Sequence, residues 1–370
     1  MEIATTQAPI QSNINGRVQK RQVQGSVRNF NVKGDQTSFY IVNYKGGGFV
    51  LISADKRTTP ILAYSDTGNF EGERIDMPRE LLGWLESVEE TIKEIRSNND
   101  PQSQEIIEIW NKYAQQEIVN REKSESGRSN STIYIGDCNN GDSGFMEYSE
   151  SVVSTPNWGQ GSGYNNSLSY AGCSNTSNGR YLTGCVATAV AEVMRFYSYP
   201  SFYNWSAMPF YSGSDETSRL MRDLGTSGNL SVSYGCNASS ASSDNTVRTF
   251  FNFGYHQARY SDFDIWNAKG ELQMGRPILL RGRPGVSFDD FTPNGHLWVA
   301  DGVQYYGYYS CVPDPNTPGE WMAIYNGYDC SMRMNWGWNG GYNGWYFVNN
   351  FNPAGRNYNN GRKMVWGIRP

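Results

Sequence analysis

The most regular pattern in this chain follows Pro78, where Leu81, Trp84, Leu85, Val88, Ile92 and Ile95 recur at steps of three and four residues with Glu and Lys between them. That spacing collects the apolar side chains on one face of a helix, and Pro78 suits its first turn. A second amphipathic segment runs over about 103–119, with Ile106, Ile109, Trp110 and Tyr113 on its apolar side. Ahead of both, residues 38–53 hold two β-rich runs joined at 45–48, a hairpin signal that starts an antiparallel sheet. The stretch 120–131 then carries no apolar side chain. It predicts an exposed linker, where domain boundaries and proteolytic nicks concentrate, and it places a boundary near residue 126.

Beyond that boundary the charged helices give way to Gly, Asn, Ser, Tyr and Trp, with one strong helical pattern. Val186, Val190, Val193, Met194 and Tyr197 keep the rhythm of a helix with a buried face, directly after Gly184-Cys185. Strand-like runs follow at 276–280, 297–300, 321–325 and 344–348, punctuated by Gly, Asn and Pro. A central helix packed on an antiparallel sheet gives an α+β fold class, with a first domain over 1–125 and a second over 126–370.

Composition narrows the partners. The chain of 370 residues has a net charge of −5 and no dense basic run, so a nucleic-acid partner has no electrostatic footprint, and neither has a membrane surface. No apolar stretch approaches the length of a membrane-spanning helix, so no membrane span is expected. Residues 1–6 lack a basic region followed by an apolar one, which leaves either a cytosolic protein or a chain numbered after removal of a leader. Six cysteines without a C-x-x-C pair, and only two histidines, give no expectation of a zinc site or other cofactor. If Cys185 is a free nucleophile, five cysteines remain, an odd number that cannot all pair within the chain.

Cys185 carries the chemistry. At a helix start a thiol meets unpaired backbone N–H groups and the positive end of the dipole, both of which favour a nucleophile; the plainer alternative is a small buried hydrophobe. A thiolate needs a base, and the base needs a group to hold its ring. His256, in a setting without other polar signals, reads as structural or surface, whereas His296 follows Gly295 and opens an alternating strand, a rigid mount for an imidazole. Asn335 could accept from the second ring nitrogen of such a histidine, and Trp336 could shield that bond from water; a glycine-rich turn with buried tryptophans is the alternative. Upstream, Gln160 could join the Cys185 backbone N–H in holding an oxyanion, where losing one donor typically costs a factor of about 100 to 1,000 in rate. The chain order Cys, His, Asn is that of papain-like peptidases, although the local signature around the papain cysteine is absent. Asp289 and Asp290, just before the histidine, read as a solvated loop.

Taken together these segments resemble one family. Trp158-x-Gln160, the run from Thr183 through Cys185 to Ala189, Gly295-His296 with Val299, Asp301 and Gly302, and Asn335-Trp336-Gly337-Trp338 are similar to the streptopain family of bacterial cysteine peptidases, within the papain-like clan. Residues 40–43, 47–55 and 60–65 look like that family's propeptide, so the likeness covers nearly the whole chain. The resemblance implies a papain-like peptidase preceded by a smaller α+β prodomain, secreted as an inactive zymogen and acting on protein or peptide substrates, with its own prodomain as intramolecular inhibitor. It also implies that Cys185 is nucleophile, His296 general acid and base, Asn335 its orienting group, Gln160 an oxyanion donor and Trp336 a shield. Gly163 and Asn339 depart from the pattern, where the family usually has Pro and Gly, and the extra cysteines are unlike a single-cysteine archetype. Acyl transfer to an amine, hydrolysis of cell-wall peptides, or a non-catalytic binding protein on the same fold are the competing readings.

Overall fold

The computed structural model describes residues 12–14, 17–19, 28–30, 37–65, 69–70, 79–98, 101–102, 106–107, 110, 128–135, 138, 144–282, 296–315, 317, 319–348 and 362–370. Its strands are β1 (Ser12–Ile14), β2 (Arg17–Gln19), β3 (Arg28–Phe30), β4 (Phe39–Asn43), β5 (Phe49–Ser53), β6 (Ile61–Ser65), β7 (Arg128–Ile135), β8 (Gly144–Val153), β9 (Arg259–Asp262), β10 (Ile278–Gly282), β11 (His296–Pro313), β12 (Trp321–Asn335), β13 (Gly344–Phe347) and β14 (Lys363–Trp366). The helices are α1 (Arg79–Asn98), α2 (Cys185–Tyr197), α3 (Asp215–Leu224), α4 (Asn245–Asn252) and α5 (Ile265–Gln273).

Apart from the small β1–β2 hairpin, the strands form one sheet. Its order is β3-β4-β5-β6-β13-β12-β11-β10-β14-β9, with β8 beside β11 and β7 beside β8. The expected hairpin is β4–β5, turned at Gly46, Gly47 and Gly48, all with positive φ that glycine adopts without a Cβ penalty. The sheet runs without a break from the first domain into the second: β6 pairs β13 through Tyr64↔Trp345 and Ala63↔Tyr346. Across that seam the Tyr64 hydroxyl and the Gln304 amide hydrogen-bond at 2.8–2.9 Å, both buried, and Phe70 meets Tyr342 edge-on at 5.2 Å.

The period-two alternation of the central strands decides what each face carries. Leu279, Leu297, Val299 and Val365 pack with α2. Their neighbours Ile278, Leu280, Trp298 and Ala300 belong to a second core with Leu85, Val88 and Ile92 of α1 and Ala268 and Leu272 of α5. The helix of the first domain therefore backs the sheet whose other face receives the Cys185 helix. All nine residues from Val186 to Met194 are buried, as a helix held between a sheet and α3 requires.

Several expectations are corrected. The second domain holds three further helices: α3 is capped by Ser214, whose side chain accepts from Thr217 N at 3.1 Å, and α5 by Asp264, which accepts from Asn267 N at 2.7 Å. Their short runs, such as Leu220, Met221 and Leu224 in α3, bury enough apolar surface against neighbours to override a weak local pattern. Residues 128–131 lie in β7 rather than in a linker, since pairing with β8 satisfies their backbone and an edge strand tolerates polar side chains. Residues 120–127, most of the amphipathic segment at 103–119, and Asp289 and Asp290 lie outside the described residues. Four cysteines pair, as Cys138–Cys311 and Cys173–Cys236, leaving Cys185 and Cys330 free. Among the described residues, no helix is long and apolar enough to cross a membrane, and no cluster of three His, Cys, Asp or Glu could hold a metal.

Candidate active site

Of the two free thiols, Cys185 is partly open and Cys330 is buried. Burial pushes the Cys330 thiol up to about 12, which keeps it an inert thiol. Cys185 is the first residue of α2, and its N-cap, Gly184, makes no side-chain cap, so the amino end of the helix stays open. Gly184 sits at φ +86, and a Cβ there would lie 2.8 Å from the Ser239 carbonyl oxygen. Ser239 in turn donates to Leu182 O at 2.7 Å and accepts from Gly235 N at 3.0 Å. Cys173–Cys236 ties these two loops together. Gly184→Ala is therefore expected to cost about 1–2 kcal/mol in left-handed strain alone, and to lower kcat about 10-fold or more by shifting the thiol. Thermal melting and peptidase kinetics read both effects.

Gln160 is set beside this turn by its backbone. Its carbonyl accepts from Thr183 N at 3.0 Å, two residues ahead of the thiol. Gly163, one of the departures from the family pattern, has φ +93, which proline cannot adopt, and it packs against Gly213. Asn339, the other, takes φ +53, and its N–H reaches Trp158 O at 2.9 Å. Both departures thus shape the segment that carries Gln160.

The 335–337 turn reaches the same place from the sheet. Gly337, at φ +75, presents its Cβ position 3.2 Å from Thr188 Cγ2, one turn along the helix from Cys185. Asn335 is 2 % exposed. Its Nδ2 donates to Thr155 Oγ1 at 3.2 Å and Pro156 O at 2.7 Å, and its Oδ1 accepts from Gly337 N at 3.3 Å and Asn343 Nδ2 at 3.0 Å. Trp336 is fully buried; its indole donates to Tyr342 O at 3.1 Å, and its ring lies 5.8 Å from Trp338 and 4.9 Å from Trp298.

His296 opens β11 and shares the parity of Trp298 and Ala300, so its ring meets the tryptophans. Its Nε2 lies 3.0 Å from the Trp336 carbonyl, and its ring stacks on Trp338 at 4.9 Å and Trp298 at 5.8 Å. Among the described residues no hydrogen bond joins Cys185 to His296, and all four polar contacts of Asn335 go elsewhere. Gln160, Cys185 and the 335–337 turn are brought together; the ring of His296 is held in the adjoining tryptophan cluster. His256 is exposed against Phe251, as expected of a surface residue.

Two groups that sequence reasoning gave no role complete the polar frame. At the β-bulge between Ala300 and Gly302, Asp301 is the extra residue, and its buried carboxylate receives Arg333 through both oxygens at 2.7–2.8 Å and Thr155 Oγ1 at 2.6 Å. Burial works to lower the Arg333 pKa, but the Asp301 charge and hydrogen bonds outweigh it and the net direction is up. Thr155 then links Asp301 to Asn335. Arg333→Ala leaves the carboxylate buried and unpaired, a loss expected at about 3 kcal/mol and measurable by urea unfolding. The second group is Glu192, the one charged residue in the apolar run 186–194, a signal legible in the sequence.

A half-exposed thiol at an open helix start, a buried asparagine and histidine on adjoining strands, and a glutamine beside the thiol define a cysteine peptidase of papain-like architecture. The chain matches the Peptidase C10 family over residues 158–202 and 201–346, about half its length, and belongs to that family. Residues 5–92 match the Spi protease inhibitor family, so the peptidase is preceded by a propeptide-like inhibitor domain. Streptopain of Streptococcus pyogenes is 25% identical over 398 residues, spanning 90% of this chain and 81% of its own. The thiol protease/hemagglutinin PrtT of Porphyromonas gingivalis is 24% identical over 377 residues, covering 91% of this chain but 37% of its own. The structure of a Prevotella intermedia prointerpain A fragment superposes with a TM-score of 0.58 at 21% identity, covering 94% of this chain and 99% of that one, a likeness of fold.

Proposed function

We propose that this chain is a secreted cysteine endopeptidase zymogen, hydrolysing peptide bonds through Cys185 and His296 once the first domain is cut away. The Cys185 thiolate attacks the scissile carbonyl, whose electron pair moves onto oxygen and is held by the Gln160 amide and the Cys185 backbone N–H. The His296 imidazolium gives its proton to the departing amine as the C–N bond breaks, leaving a thioester. Water, deprotonated by His296, then adds to the thioester and releases the acid and the thiolate. Asn335 orients the imidazole through Oδ1, and Trp336 keeps water from that bond. The two disulfides fit an oxidising compartment outside the cell.

The single observation that carries the latent state is the engagement of the His296 ring by the Trp336 carbonyl and two flanking indoles. The first domain supports that arrangement from behind, since its α1 packs in the same core as Trp298 and Trp336. The activating cut falls ahead of Arg128, because 128–135 are paired into the sheet. Hydrolysis of casein by the chain nicked over 120–127, with full-length and Cys185→Ala chains as silent controls, tests the reading. Product analysis with defined peptides and added amine separates hydrolysis from acyl transfer; an amide product in place of a free acid contradicts the endopeptidase assignment.

A further inference from the structure

Glu192 lies two helical turns beyond Cys185 on the buried side of α2 and is 0 % exposed. Its Oε1 accepts the Trp158 N–H at 3.0 Å, two residues before Gln160. Its Oε2 is buried with no hydrogen-bond partner among the described residues. The Asn335 amide acts on the charge of the carboxyl from alongside, although its hydrogens point at Thr155 and Pro156. One side chain of the Cys185 helix therefore holds the segment of the oxyanion donor directly, with the histidine-orienting amide acting on its charge. We propose that Glu192 is a positioning residue of the peptidase site, setting the Trp158–Gln160 segment and the Asn335 amide against the Cys185 helix. The inference rests on the roles given above to Gln160 and Asn335.

Thr155 Oγ1 and Pro156 O accept both hydrogens on the Nδ2 edge of Asn335. The amide then presents Oδ1 on its other edge, the one a histidine N–H needs. The groups around the carboxyl are Asp301 with its partner Arg333, His296, Tyr164 and Asn335. Burial, then the Asp301 charge, push Glu192 well above the ordinary carboxylate range, against the opposing pull of Trp158 N–H, Asn335 and His296. The net direction favours the neutral acid over the charged one. Its folded pKa lies above the unfolded one, so its contribution is present at low pH and is lost as pH rises through the folded value.

The test uses the nicked full chain carrying Glu192→Ala or Glu192→Gln. The Ala variant is expected to lose about 10- to 100-fold in kcat with KM within about twofold, because the groups it misplaces act on the reacting atoms. The neutral Gln variant is expected to restore most of that loss and to keep its activity to higher pH than wild type. Wild-type kcat in the Ala variant, a loss confined to KM, or a Gln variant no better than Ala overturns the proposal. If the Ala variant fails to fold, as judged by circular dichroism, the Gln profile decides, and an alkaline limb identical to wild type overturns it. Labelling of Cys185 by a thiol-directed epoxide separates the two levels of the argument. Equal labelling rates in wild-type and Ala chains refute the role of Glu192, whereas an unlabelled wild-type Cys185 refutes the site itself.

Discussion

Cys185→Ala is expected to lower peptidase turnover by about 100,000-fold or more and to abolish self-processing ahead of Arg128, while the fold persists. The size follows from the mechanism: without the sulfur no thioester forms, and the remaining oxyanion donors act on a reaction that has lost its nucleophile. The fold persists because Cys185 is partly open at the rim of its core cluster, and the burial of α2 comes from Val186 to Met194. Casein turnover and the mobility of the full-length chain on a gel read the two losses. Turnover within about 10-fold of wild type would place the nucleophile elsewhere, and Cys330, buried and held as a thiol, is not equipped to replace it.

Removal of the first domain carries the second large effect, a rise in activity of at least about 100-fold. That domain completes the sheet at β13 and contributes Leu85, Val88 and Ile92 to the core that also holds Trp298 and Trp336. The Trp298 ring and the Trp336 carbonyl both meet the His296 ring, so the packing that the domain supports extends to that ring. If only about 1 % of full-length molecules release the ring, the difference corresponds to about 2.7 kcal/mol. A seam of two paired residues, a Tyr64–Gln304 hydrogen bond and two aromatic contacts can supply that. Equal casein turnover before and after nicking would show that the domain does not impose latency.

Much of this was legible in residue order. Periodicity located α1 and α2 because each buries one long face, and the 45–48 glycines located the first hairpin. Gln160 lies beside the turn that leads into Cys185 through the Thr183 N–H, and Asn335, followed by Trp336, ends the strand paired with the one that His296 opens. What the sequence could not disclose was long-range pairing. The Asp301 bulge depends on β12, the β6–β13 seam joins residues far apart, and the side to which His296 turns depends on the tryptophans around it. Polar residues 128–131 misled for the same reason, since their strand is fixed by a partner and not by their own side chains.

The rate at which a thiol-directed epoxide labels Cys185, compared in the full-length chain and in the chain nicked over 120–127, tests the central claim most directly. A Cys185–His296 pair assembled only after the first domain is released predicts slow labelling of the intact chain, fast labelling at Cys185 of the nicked one, and none in Cys185→Ala. Equally fast labelling before and after the cut would contradict it.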